Sequence, residues 1–184
     1  MLNKRHVVIS ILILMIAVCL FLAYRFVTHS IASARAGDVL EEMYSIVPGL
    51  GQDSGGSAGA GRDPMVSVSI DGIDIVGCLE IPSLGIMVPV TSGEDDIKGF
   101  VRYVSGSAAA GKLMLEGGKE DALKDIEKAM PGESVIFTDM DGVRYTYSVV
   151  TQYHLKEWGE GNNDLMVCCS TDEHTDFVLG CSAS

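Results

Sequence analysis

Residues 7–24 (VVISILILMIAVCLFLAY) form an unbroken run without charge, with Lys4, Arg5 and His6 before it and Arg25 after it. A run of this length suits one membrane-spanning helix, which needs about 20 apolar residues once flanking side chains reach back to the headgroups. A cleaved signal peptide is the competing reading, because Ala32-Ser33-Ala34 looks like a small-residue cleavage site. The run is longer than the ~7–15 residues of a signal core, and the triplet lies well past its end, so an uncleaved anchor is the expectation. Lys4 and Arg5 balance Arg25 and Arg35, so charge gives no bias in orientation. The short tail of residues 1–6 is read as cytoplasmic and the C-terminal domain as extracellular, at the cell membrane.

Beyond the span, residues 25–50 continue as a juxtamembrane helix. Ile31, Ala34, Val39, Met43 and Ile46 fall loosely at helical spacing, and Pro48-Gly49 stops the element. Residues 51–64 are rich in Gly and Ser and read as a flexible tether that separates anchor from domain. In the remaining 65–184 the period changes to two. Val66, Val68 and Ile70 alternate with serines, and Asp71-Gly72 turns the chain into Ile73-Asp74-Ile75-Val76. Apolar runs at 78–81, 84–90, 112–115, 134–138, 143–150, 165–169 and 177–181 predict further strands, and Asp139-Met140-Asp141-Gly142 is a hairpin signal. Ala122, Leu123, Ile126, Ala129 and Met130 mark one face of a short helix closed by Pro131-Gly132. Many short strands with regular turns and one helix predict a mainly β fold, a closed barrel.

Charge narrows the function. The 184 residues carry a formal net charge of −12, and beyond residue 64 there are 8 Lys+Arg against 20 Asp+Glu. Such a surface repels phosphate backbones and opposes nucleic-acid binding. Five cysteines stand at 19, 78, 168, 169 and 181. None makes a CxxC pair and the histidines lack metal-ligand spacing, so no metal or other cofactor is expected. Cys168 and Cys169 are neighbours on a strand and must point to opposite faces.

The order of these motifs resembles the sortases, membrane-anchored cysteine transpeptidases, and among them the clostridial-type members. Ile73 to Val90 (IDIVGCLEIPSLGIMVPV) is similar to the family's opening strand and its Gly-x-Leu-x-Ile-Pro pattern. Arg102-Tyr103-Val104-Ser105-Gly106-Ser107 resembles a following turn, and Pro131 to Val149 a Gly-Asp-x-Val-x-Phe-Thr-Asp hairpin. Leu165-Met166-Val167-Cys168-Cys169 occupies the place of the Thr-Leu-x-Thr-Cys motif, with Cys169 in the nucleophile position and Cys168 in the place of Thr. Phe177-Val178-Leu179-Gly180-Cys181 matches the closing strand. The resemblance implies a sortase-type barrel and a thiol that attacks a sorting-signal peptide, helped by a histidine and an arginine.

Both helpers are missing from their expected places. Gly118 stands where the resemblance puts the histidine, and Asp176 where it puts the arginine. No histidine occurs between His29 and His154, and no Lys or Arg follows Lys156. Loss of a general acid/base costs roughly 10²–10⁴ in rate, and loss of one oxyanion donor about 10²–10³. The two overlap and do not multiply. Asp176 and Glu116 add negative charge that raises a neighbouring thiol pKa.

The expected function is therefore a catalytically degenerate sortase relative that binds a surface-protein peptide or another cell-wall assembly protein at the membrane. The alternative is an active transpeptidase with a rewired base such as His174. The bland readings are a small core residue for Cys169 and Cys78, solvated surface histidines at 154 and 174, and a barrel-capping aromatic at Trp158. Lys119 has an unperturbed pKa near ~10.4, too high for a proton shuttle.

Overall fold

A computed structural model describes residues 4–47, 50, 65–93, 97–118, 122–155, 163–172 and 175–184. One long helix, α1 (Lys4–Ile46), precedes nine strands: β1 (Val68–Ile70), β2 (Ile73–Ile81), β3 (Ile86–Thr91), β4 (Val101–Ser107), β5 (Lys112–Gly118), β6 (Ser134–Asp139), β7 (Arg144–Leu155), β8 (Leu165–Asp172) and β9 (Thr175–Ala183). The sheet order is β1-β2-β3-β4-β5-β8-β9-β7-β6, and β6 pairs back onto β2. Strands β2 to β9 thus close into an eight-stranded barrel with β1 outside it as a hairpin partner of β2. Closure removes the open sheet edges that would otherwise template aggregation.

The turns follow from the residues the sequence supplies. Asp71 (φ 50°) and Gly72 (φ 74°) are both left-handed and join Ile70 to Ile73, the two-residue geometry that matches strand twist. In the β6–β7 hairpin, Asp139 Oδ1 accepts hydrogen bonds from the backbone N–H groups of Asp141 at 3.0 Å and Val143 at 2.9 Å. The helix expected near residues 122–130 is not formed. Only Ile126–Lys128 makes a 3₁₀ turn, because Asp125 enters it in a left-handed conformation (φ 66°). Ala122, Leu123, Ile126 and Ala129 still plug the barrel, whereas Met130 is exposed.

The barrel interior is filled by side chains that alternate inward along every strand, among them Leu79, Ile81, Val90, Val101, Leu115, Phe137, Val167, Cys169 and Leu179. Gly77 is needed beneath Phe137. A Cβ there would lie 2.6 Å from the Phe137 ring and 2.4 Å from the Thr138 carbonyl oxygen.

A second core lies outside the barrel. Ala36, Val39, Met43 and Val47, at spacings of three and four, pack with Leu50 against Ile70, Ile73, Ile75, Cys78, Phe100 and Met140. Val39 and Met43 are fully buried, and Tyr44 Oη donates to Met87 Sδ at 3.0 Å. The end of α1 is therefore a packed part of the domain, where the sequence suggested an anchor held apart from it. The apolar stripe runs through 36, 39, 43 and 47, and Ile46 is exposed. The tether at 51–64 lies outside the described residues.

At the other end of α1, large apolar side chains between Ile11 and Leu22 are exposed, Leu14 at 66% and Leu20 at 68%. Among the described residues, no helix is long and apolar enough to cross a membrane. The side chains described within the apolar run are those of residues 11–23.

Candidate functional site

Three strands bring the expected site positions together. β5 and β8 run parallel, and β9 returns antiparallel beside β8. Their register forms cross-strand rows: Glu116, Cys168 and Val178; then Gly117, Cys169 and Phe177; then Gly118, Ser170 and Asp176. Positions 118 and 176 thus flank Ser170 on either side. The residues that the resemblance assigned to histidine, arginine and thiol converge at one end of the barrel wall, although they lie up to 58 positions apart in sequence.

Strand alternation decides which thiol belongs to which side. Leu165, Val167 and Cys169 point into the barrel core, and Cys169 is 0% exposed. Met166 and Cys168 point outward and pack with Val178, Met114 and Tyr153. Leu115 and Gly117 of β5 face inward, and a Cβ on Gly117 would sit 2.9 Å from Leu123 Cδ1. Met114, Glu116 and Gly118 form the opposite, outward set of β5. Cys168 therefore lies on the same side as position 118 and Cys169 on the core side, and both thiols are buried, at 1% and 0% exposure. The two thiols point to opposite sides of β8, as expected of strand neighbours.

The outer wall has its own electrostatics. Glu116 sits beside Cys168 in the ladder and is ion-paired with Arg102, its partner across β4–β5. The sequence reading missed this pairing, because Arg102 comes from β4 rather than from the strand before Phe177. On the other flank, Tyr153 stands across β9 from Cys168. Burial first, and then the neighbouring Cys168 sulfur, push its phenol pKa up. Neither neighbour is a base that takes a thiol proton at neutral pH.

The histidines do not replace the missing helper among the described residues. His154 is exposed and meets the Phe177 ring edge-on, centroids 5.6 Å apart. Phe177 stands between it and Cys169 in the cross-strand row. His174, Trp158 and Lys119 lie outside the described residues. The other thiols are structural: burial and Glu80 push Cys78 far above the ordinary range, and burial pushes Cys181 up to about 12. None of the five cysteines is in a disulfide.

No family model and no curated protein matches the chain. Solved structures do. Sortase A from Corynebacterium diphtheriae superposes with a TM-score of 0.53 at 12% identity, over 61% of this chain and 61% of that one. The fold is that of the sortases. Sortase A from Listeria monocytogenes matches at a TM-score of 0.51 and 17% identity, over 60% of this chain and 87% of its own. Sortase E1 from Streptomyces coelicolor, solved with a tripeptide in its active site, matches at 0.50 and 14%, over 60% and 88%. Because the chain spans about three fifths of the Corynebacterium sortase, likeness at this identity establishes the sortase barrel and leaves the chemistry to the residues.

Proposed function

We propose that this chain is a membrane-anchored sortase-fold protein that binds a peptide or protein segment at the outer barrel wall and has lost efficient transpeptidation. One observation carries the reading: Glu116 is the ladder partner of Cys168, and glycine at 118 and aspartate at 176 stand where general acid/base and oxyanion help would be needed. A carboxylate beside a thiol opposes its ionisation, and the guanidinium that could offset it is already paired with that carboxylate. Met114, half-buried, gives this wall apolar surface, with Met166 and Val178 buried beside it.

The membrane anchor is supported by the uncharged run at 7–24, the cations that bracket it, and the exposed apolar side chains of α1. With the C-terminal barrel outside the cell, its partners are surface-protein peptides or cell-wall assembly proteins. The test is incubation of the full chain with sorting-type peptides and an amine acceptor. Binding without ligated product is expected, and rapid ligation contradicts the proposal. A thiolate near neutral pH that disappears in His174→Ala would instead establish the enzymatic alternative.

A further inference from the structure

At the hairpin end of the same outer wall, away from positions 118 and 176, lies a concavity of about 280 Å³ lined by Ser105, Gly106, Lys112, Met114, Asn163 and Met166. Its apolar lining includes the methionines Met114 and Met166, matched across the parallel β5–β8 ladder. Unbranched thioether side chains adapt to varied apolar shapes. Lys112, Ser105 and Asn163 are its polar lining residues.

The site is built rather than incidental. Asn163 lies over Gly180, where a Cβ would come 2.3 Å from its Nδ2, so only glycine at 180 seats the amide. Asp164 next to it is tied to two strands, β5 and β9. Its backbone N–H donates to the Cys181 carbonyl at 3.0 Å, its carbonyl accepts from Leu113 N–H at 2.9 Å, and its Oδ2 accepts from Ala183 N–H at 2.8 Å. On the opposite side the wall is backbone. Gly106 has φ +82°, and a Cβ there would lie 1.9 Å from the Lys112 carbonyl oxygen.

Charge identifies the occupant. Beyond residue 64 acidic residues outnumber basic ones by 20 to 8, so an anion is repelled from most of this surface. Of the two cations on this stretch of wall, Arg102 is neutralised by Glu116, whereas Lys112 forms no ion pair among the described residues. A lysine beside an apolar lining and an amide suits a carboxylate attached to an apolar body. The volume falls below the ~300–1,000 Å³ of pockets for drug-sized ligands, so it holds about one large side chain.

We propose that this concavity captures the free C-terminal residue of a peptide, its carboxylate on Lys112 and its apolar side chain on Met114 and Met166. The inference rests on the peptide-binding reading above and specifies which part of the peptide is held.

The test is titration of the full chain, in detergent micelles with methyl-labelled methionine, with a Gly/Ser hexapeptide ending in leucine. The same peptide carrying a C-terminal amide is the control, and octanoate is a third arm. The acid is expected to bind at least ten-fold tighter than the amide and to shift the Met114 and Met166 methyl signals. Lys112→Gln should abolish the ten-fold difference while leaving the fold intact. Equal binding of acid and amide overturns the proposal but leaves the peptide-binding wall standing. Binding of octanoate without the peptide overturns the peptide as occupant, and absence of any shift at the two methyls overturns the site.

Discussion

Cys168 and Glu116 are partners across the parallel β5–β8 ladder, so a thiol and a carboxylate lie side by side on the outer wall of the barrel. Adjacent strands are about 4.8 Å apart, which puts the negative charge close enough to oppose thiolate formation. Arg102 holds that carboxylate from its other side. The local charge is therefore balanced between residues 102 and 116.

Removing the carboxylate should ease ionisation of Cys168. In Glu116→Gln the guanidinium of Arg102 is released, and the alkylation midpoint of Cys168 is expected to move to lower pH. Site-resolved alkylation rates against pH, read by mass spectrometry, measure it. Arg102→Gln should move the same midpoint upward. No movement in either variant would separate the ion pair from the thiol.

The end of α1 should behave as core. Met43→Ala is expected to destabilise the domain by about 2–5 kcal/mol, the range for removing a fully buried methionine. Met43→Asp should undock the helix and expose Cys78, which lies in the same packed cluster. Urea unfolding checks the first and alkylation at Cys78 the second. Unchanged protection of Cys78 in Met43→Asp would contradict the docked arrangement.

Alkaline pH should destabilise the barrel through its buried thiols and phenols. Cys181 has its pKa raised from 9.0 to about 12 in the fold by burial, so the folded state holds a proton that the unfolded chain releases. Its stabilising contribution is complete below about pH 9 and is lost as pH rises toward 12. Tyr147 is shifted in the same direction, again chiefly by burial. The urea midpoint should fall between pH 9 and 11, and Cys181→Ala should flatten part of that slope. A slope identical to the parent would show that residue 181 does not contribute.

Much of the barrel was legible because alternation and turn chemistry agree. Ser-flanked valines, Asp71-Gly72 and the Asp139–Gly142 turn each specify a hairpin locally, and closure follows from stacking these hairpins. The short helix was misread because 122–130 has helical spacing of apolar residues but lacks the length to form one, and Asp125 breaks it. The docking of α1 was missed because its stripe at 36, 39, 43 and 47 includes an alanine and is offset from the more apolar Ile31 and Ile46. At the site, period two separated Cys168 from Cys169 but could not say which faced inward. Met166, Cys168 and Val178 on the outer face are as buried as Val167 and Cys169 inside, so both sides of β8 read as apolar. The pairing of Arg102 with Glu116 was not legible because it crosses a strand pair with a bulge at 103–105, a contact that no local pattern encodes.

The most direct test of the account is the ionisation midpoint of Cys168 and Cys169 in the unmodified full chain, measured by site-resolved alkylation between pH 5 and pH 10. Both sulfurs are buried, so neither is expected to react below the ordinary thiol value of about 8.5. A midpoint below pH 7 at either sulfur would mean that the wall does supply an activating base or cation, and the barrel would then be a working transpeptidase.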